Sequence, residues 1–312
     1  MKLPALPRKV IIPPIKCQGI KTKLVPFIMS NIVWDGKGRW IEPFLGSGVV
    51  LFNVNPQNAL ICDTNPHIIS FYKSVYDGWI TPGLVRKHLE HEGKLLLEEC
   101  RKGHDSHYYT VRERFNKASD PLDFLFLSRS CFNGMIRFNS RGQFNVPFCR
   151  KPDRFRPAYV TKIVNQVESI QKIMRNKEWE FRVADWKNTV AEATRADFVY
   201  LDPPYIGRHT DYFSQWTDRD AEELATMAHS LPCGFALSMW QENRYRINDH
   251  IAECWDDNVI RTAAHFYHVG PTEALRNSVI EALVIKKGYE SPLAKNGATL
   301  ETKLSQLAIP FA

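Results

Sequence analysis

Long apolar runs are absent from this chain of 312 residues. No stretch approaches the ~18–20 residues that a membrane-crossing helix needs. The opening Met1-Lys2-Leu3-Pro4-Ala5-Leu6-Pro7 has no apolar core of a secretory signal. Cysteine is scarce and scattered: seven residues, an odd number, with no C-x-x-C. That disfavours a disulfide framework and a zinc site and points to reduced thiols in a cytoplasm. The P-loop pattern G-x-x-x-x-G-K-[ST] does not occur, nor does an internal repeat or a low-complexity tract. Three H-x-x-H pairs (88/91, 104/107 and 265/268) lie in different regions without a clear third ligand, so no metal is expected.

What is present is ordinary in amount and uneven in placement. The chain is 44% hydrophobic and 24% charged, as soluble globular proteins are. Its net charge is +7, and residues 129–156 carry six of those charges. Arg129, Arg137, Arg141, Arg150, Lys151, Arg154 and Arg156 there face one acid, Asp153. Phe132, Asn133, Phe138, Asn139, Gln143, Phe144 and Asn145 are interleaved with them. A solvated basic face is the plain alternative, but a local patch mixed with aromatics and amides favours a nucleic acid.

Apolar patterning alternates strands and helices, which means a doubly wound α/β sheet. Strands are expected at 39–44, 59–63, 179–184, 197–201, 234–239, 259–265 and 279–286. Helices are expected at 22–33, 66–76, 158–175, 219–230 and 244–254. The alternation breaks between about residues 80 and 157. That insert reads as helices at 82–100, 108–116 and 122–131, then a hairpin of 135–139 with 143–148, where Gly142 supplies a positive φ. The division is therefore a catalytic domain of 1–79 and 158–288, a recognition insert of 80–157 and an extension of 289–312.

Tyr200-Leu201-Asp202-Pro203-Pro204-Tyr205 is the most informative stretch. Two prolines stop the apolar strand before them and force a turn. A carboxylate, rigid proline carbonyls and an aromatic ring are left at a strand end, where open α/β sheets bind ligands. The set suits a planar base with an exocyclic amine. Asp202 and the Pro203 carbonyl can each accept one N–H, while Tyr205 stacks on the ring. Taking both N–H groups pulls the nitrogen toward tetrahedral geometry and frees its lone pair. A plain turn is the competing reading.

Glu42-Pro43-Phe44-Leu45-Gly46-Ser47-Gly48 follows the first strand. Gly46 and Gly48 let the backbone approach a ligand, and Asp63, ending the next strand, is placed for ribose hydroxyls. Leu51 stands where a dinucleotide fingerprint has its third glycine, which favours a sulfonium nucleoside over NAD. Asp185, followed by Trp186, either accepts a cofactor's adenine amine or caps a helix; spacing leaves both open.

Together these motifs resemble the Dam-type, D12-class DNA adenine methyltransferases from about residue 13 to 286. The order matches that family's α group: N-terminal loop, G-x-G segment, insert, then D-P-P-Y. Lys16-Cys17-Gln18-Gly19-Ile20-Lys21 corresponds to the family's K-W-A-G-G-K, with Cys17 at the aromatic position. The resemblance implies S-adenosyl-L-methionine as cofactor, held by Cys17, Lys21, Phe44, Gly46, Gly48, Asp63, Asp185, Trp186 and Asp202. It implies catalysis by Asp202, Pro203, Pro204 and Tyr205 on an adenine flipped out of the duplex. It implies DNA contacts by Lys16, Asn133, Met135, Arg137, Asn139, Pro147 and Arg150. Residues 62–67, 130–140 and 204–209 are most similar to EcoRV-type modification methylases, which implies the target GATATC, with GATC second. Tyr212, Phe213 and Trp216 would close over the base or pack under the sheet.

Rivals separate on single positions. N4-cytosine enzymes more often carry Ser at the place of Asp202, and RNA or glutamine methylases carry Asn. A binding-only relic would not keep both the G-x-G and D-P-P-Y sets. The expected protein is a cytoplasmic monomer acting on double-stranded DNA. Any cognate restriction endonuclease would share the site rather than bind the enzyme stably.

Overall fold

The computed structural model describes residues 9–205, 216–243, 247–266 and 278–292. Seven strands form one sheet: β1 (Arg39–Glu42), β2 (Asn58–Asp63), β3 (Glu178–Val183), β4 (Phe198–Leu201), β5 (Gly234–Asn243), β6 (Val259–Phe266) and β7 (Ser278–Ile285). Their order is β3-β2-β1-β4-β5-β7-β6. β1 to β5 pair in parallel, and β7 lies antiparallel between β5 and β6. Each expected strand is found within a few residues. Every residue of β4 is buried, as a central strand covered on both faces requires.

Helices cover both faces of the sheet, completing the doubly wound architecture. They are α1 (Val25–Asn31), α2 (Val49–Val54), α3 (Pro66–Tyr76), α4 (Pro82–Arg101), α5 (Ser106–Ala118), α6 (Pro121–Ser130), α7 (Pro157–Met174), α8 (Trp186–Ala191), α9 (Asp218–Ser230) and α10 (His250–Cys254). One apolar core joins α1–α7 to one side, where Trp40 stacks on Phe198 at 5.3 Å. The other core packs α8, α9 and α10 on the opposite side through Leu224, Phe235 and Trp255.

Three expectations are corrected. The helix expected at 22–33 is the shorter α1, entered by a turn at Lys21. That expected at 244–254 is confined to α10, because Asn248 donates to the Gln241 carbonyl and ties the segment to β5; residues 244–246 lie outside the described set. The hairpin forms no continuous ladder, only isolated bridges between Phe138 and Phe144 and between Cys131 and Phe148. Backbone bonds between Asn139 and Gln143 and between Arg137 and Asn145 are joined by the Asn139 side chain, which accepts the N–H groups of Arg141 and Gln143 at 3.0 Å each. Gly142 has the expected positive φ, +70°.

Candidate active site

β1 and β4 are neighbours, but the chain leaves β1 toward β2 and β4 toward β5. Such a switch point opens a crevice at the strand ends in α/β sheets. The G-x-G turn leaves β1 there and the Asp202–Tyr205 segment leaves β4, so the fold brings the two motifs together.

On the β1 side, Asp63 ties the turn. Its carboxylate accepts the Gly46 and Asn65 N–H groups, both at 2.8 Å. Burial raises its pKa, and these two donors pull it back. Gly48 opens α2 at φ +71°, and a Cβ there would lie 2.8 Å from the Phe52 ring. Only glycine meets both demands without rearrangement. At Gly46, φ +50°, nothing lies within 4 Å of a Cβ position, so this part of the turn is an open cradle. Tyr72 braces it from below, its hydroxyl donating to the Ser47 carbonyl at 2.6 Å. Phe44 packs with Trp186 at 6.3 Å and Trp216 at 5.6 Å. Asp185 caps α8, accepting the Lys187 N–H at 2.9 Å, and its side chain is exposed.

The loop of residues 16–21 joins three parts of the site. Lys21, 3% exposed, donates to both Asp202 oxygens at 2.7 and 3.0 Å and to the Gly19 carbonyl at 3.0 Å. Its ammonium also lies 4.9 Å over the Tyr205 ring. Burial raises the pKa of Asp202, Lys21 opposes that, and Glu281 adds to it. Cys17 is near Asp63; burial first, then that carboxylate, raises its pKa and keeps the thiol protonated. Lys16 reaches the insert, where a Cβ at Gly134 would lie 3.0 Å from its Cδ. Burial and the nearby Arg154 and Arg129 lower the Lys16 pKa to about 8.

In the insert, Arg137 donates through Nε to Asn145 Oδ1 at 2.8 Å, which holds its guanidinium along the hairpin. Asn133 and Arg150 take φ of +54° and +53°, a region unusual for residues with side chains. Asn133, Pro147 and Arg150 are exposed, and Met135 is half-buried. Asn139 is engaged by the turn at both ends of its amide, since Nδ2 donates to Gln143 Oε1 at 3.1 Å.

Two buried acids near the site are not among the residues that the sequence singles out as candidates. Glu42, 2% exposed, accepts the Trp40 indole N–H at 2.9 Å, and burial raises its pKa to about 8. Glu281, also 2% exposed, accepts the Tyr205 hydroxyl at 2.7 Å. A lone acid inside the apolar run Val279-Ile280-Glu281-Ala282-Leu283 was the signal for it. In the H-x-x-H pair 88/91, His91 is exposed. His88 instead faces Asp123 at 3.3 Å, in a network with Glu92 and His107 that Arg114 bridges at 2.9 Å to Glu92 and 2.5 Å to Asp123. Tyr212 and Phe213 lie outside the described residues.

Among solved structures, an rRNA methyltransferase from Streptomyces viridochromogenes, aviRa, is similar over 86% of this chain and 83% of its own, at 11% identity and TM-score 0.33. That likeness is too slight to bear on fold or function. Sequence relatives are closer. The type II methyltransferase M1.LlaDCHI of Lactococcus lactis is 31% identical over 65% of this chain and 69% of its own. The DNA adenine methylase of Serratia marcescens is 31% identical over 61% and 68%. The type II methyltransferase M.MjaIII of Methanocaldococcus jannaschii is 31% identical over 67% and 74%. The family model for D12 class N6 adenine-specific DNA methyltransferases matches residues 18–274, spanning both strand-end motifs and the insert between them. This chain belongs to that class and is a DNA adenine methyltransferase.

Proposed function

We propose that the protein transfers the methyl group of S-adenosyl-L-methionine to N6 of an adenine flipped out of double-stranded DNA, within GATATC. The observation that carries this reading is the position of Lys21 Nζ, bonded to both oxygens of Asp202 and lying over the Tyr205 ring. A nitrogen that donates N–H to a carboxylate beside an aromatic face is what an exocyclic amine offers. Lys21 thus sits where the amine would, and it must yield when the base arrives; its bond to the Gly19 carbonyl gives it a second anchor.

The donor set fits the cofactor. The open cradle at Gly46, the carboxylate of Asp63 and the Phe44–Trp186 pair offer backbone approach, ribose acceptors and an aromatic wall. Cys17, Lys21, Gly48, Asp185 and Asp202 complete the set. When bound, S-adenosylmethionine supplies an electrophilic methyl group. Asp202 and the Pro203 carbonyl accept the amine's two protons in hydrogen bonds, Pro204 keeps the turn rigid, and Tyr205 stacks on the base. Acceleration then comes from positioning and preset charge, without a covalent intermediate. The amine becomes acidic on alkylation, so water suffices to remove its proton.

Residues 80–157 would read DNA, with 1–79 and 158–288 doing chemistry and 289–312 an extension. Lys16, Asn133, Met135, Arg137, Asn139, Pro147 and Arg150 are the proposed contacts. Arg137 is suited to a guanine edge in the major groove. The enzyme works as a monomer in the cytoplasm, as the modification arm of a restriction–modification system or as an orphan or phage methylase. Expression in a methylation-free host, followed by single-base mapping, tests this. N6-methyladenine confined to GATATC is expected. Methylation at every GATC would overturn the target, and no methylated adenine would overturn the reaction.

A further inference from the structure

We propose that Glu281 is a positioning residue for methyl transfer, fixing the plane of the Tyr205 ring on which the target base stacks. This rests on the adenine reading above and adds to it a residue from a strand remote in sequence. Tyr205 leaves β4, whereas Glu281 stands on β7, and the two meet across 2.7 Å. A phenol bonded to a carboxylate is a short, charge-assisted contact. The same ring carries the Lys21 ammonium 4.9 Å over its face. When the base takes the place of Lys21 on that face, the hydroxyl bond to Glu281 is the contact that keeps the ring's tilt.

A carboxylate in the middle of a buried strand is costly. Ala282, Leu283, Val284 and Ile285 beside it are 2% exposed or less, as Glu281 itself is. Its proximity to Asp202 adds repulsion, visible in the upward push on the Asp202 pKa. An apolar residue would suit the core better, and the acid brings a contact with Tyr205 to the site. The ladder shows a second adjustment at this spot: the β5–β7 register shifts just beyond the Trp240–Glu281 pair. Bulges of this kind re-aim side chains beside active sites.

Single-turnover methylation of a duplex carrying one GATATC is the test, with cofactor affinity measured alongside. Tyr205→Phe removes one oxygen and keeps the ring. It should slow transfer about tenfold or more, the size of a hydrogen bond to a charged acceptor, and leave cofactor affinity unchanged. Glu281→Leu should lose at least as much, and the double variant should be no slower than Glu281→Leu, because both changes remove the same Tyr205–Glu281 bond. Glu281→Gln, which keeps an acceptor without the charge, should recover most of the loss. Tyr205→Phe at the wild-type rate would overturn the proposal; this variant leaves the core packing intact, so misfolding cannot mask the result. Losses that multiply, or Gln as slow as Leu, would also overturn it. Wild-type protein that binds cofactor yet methylates no DNA adenine would instead overturn the adenine reading beneath it.

Discussion

Asp202 is held by opposing forces: burial favours its protonated form, and the Lys21 ammonium favours the carboxylate. Asp202→Ala should therefore have two separable effects. Methyl transfer should fall at least 10²–10³-fold, as it does when a preset polar group is removed from a reaction centre, while duplex binding in a mobility-shift assay stays largely intact. Thermal stability should also fall, because Lys21 keeps the Gly19 carbonyl but is left buried without its counter-charge, at a cost of up to roughly 3–5 kcal/mol. Collapse of DNA binding as well would make Asp202 a structural residue. Glu42 predicts a pH dependence. Its folded pKa of about 8 stands above its ordinary 4.5, so the native state binds the extra proton between those values. Its contribution is fully present below the unfolded pKa and is lost as pH rises through the folded one. The slope is at most about 1.4 kcal/mol per pH unit. Glu42→Gln should flatten the stability profile between pH 4.5 and 8; chemical denaturation across that range, with an unchanged profile, would refute it.

At the level of elements, the hairpin shows where a side chain reinforces sparse pairing. Gly142 marks the turn in the sequence, but nothing there shows that the Asn139 side chain reinforces the few backbone bonds that close it. Composition and periodicity cannot reveal that reinforcement, because it comes from one side-chain amide rather than from a repeating pattern. The strands were legible because each is a dense apolar run that the sheet must bury, as Phe198–Leu201 is. The Asp202–Tyr205 and Gly46–Gly48 motifs were legible because prolines and glycines constrain backbone locally. Lys21 on Asp202 and Glu281 on Tyr205 join residues far apart in the chain, and no local pattern records such meetings. Arg150 predicts a trade between stability and binding. It holds φ +53°, which glycine adopts at no cost. Arg150→Gly should stabilise the fold by roughly 1 kcal/mol in a thermal melt and weaken duplex binding across all sequences. Unchanged affinity would remove Arg150 from the interface.

For the whole molecule, charge placement matters more than charge sum. Residues 129–156 hold six of the seven net positive charges. Duplex affinity should therefore fall steeply with salt, by about 0.9 logarithmic units per phosphate contact for each tenfold rise. Arg137→Ala should barely alter that slope but should cost about 1–3 kcal/mol of discrimination against wrong bases. Titrations of cognate and altered duplexes at several salt concentrations separate the two; a large change in slope with discrimination intact would mark Arg137 as a phosphate contact.

The placement of β7 has a consequence for the enzyme's birth. β5 and β6 have left the ribosome before β7, yet they become parts of one sheet only when β7 slides between them. A nascent chain with the Asp202–Tyr205 turn already synthesised still lacks the strand beside β5 and the acid that Tyr205 touches. A message cut short before that strand therefore yields a protein that holds both motifs but neither the strand that joins β5 to β6 nor the acid beside Tyr205.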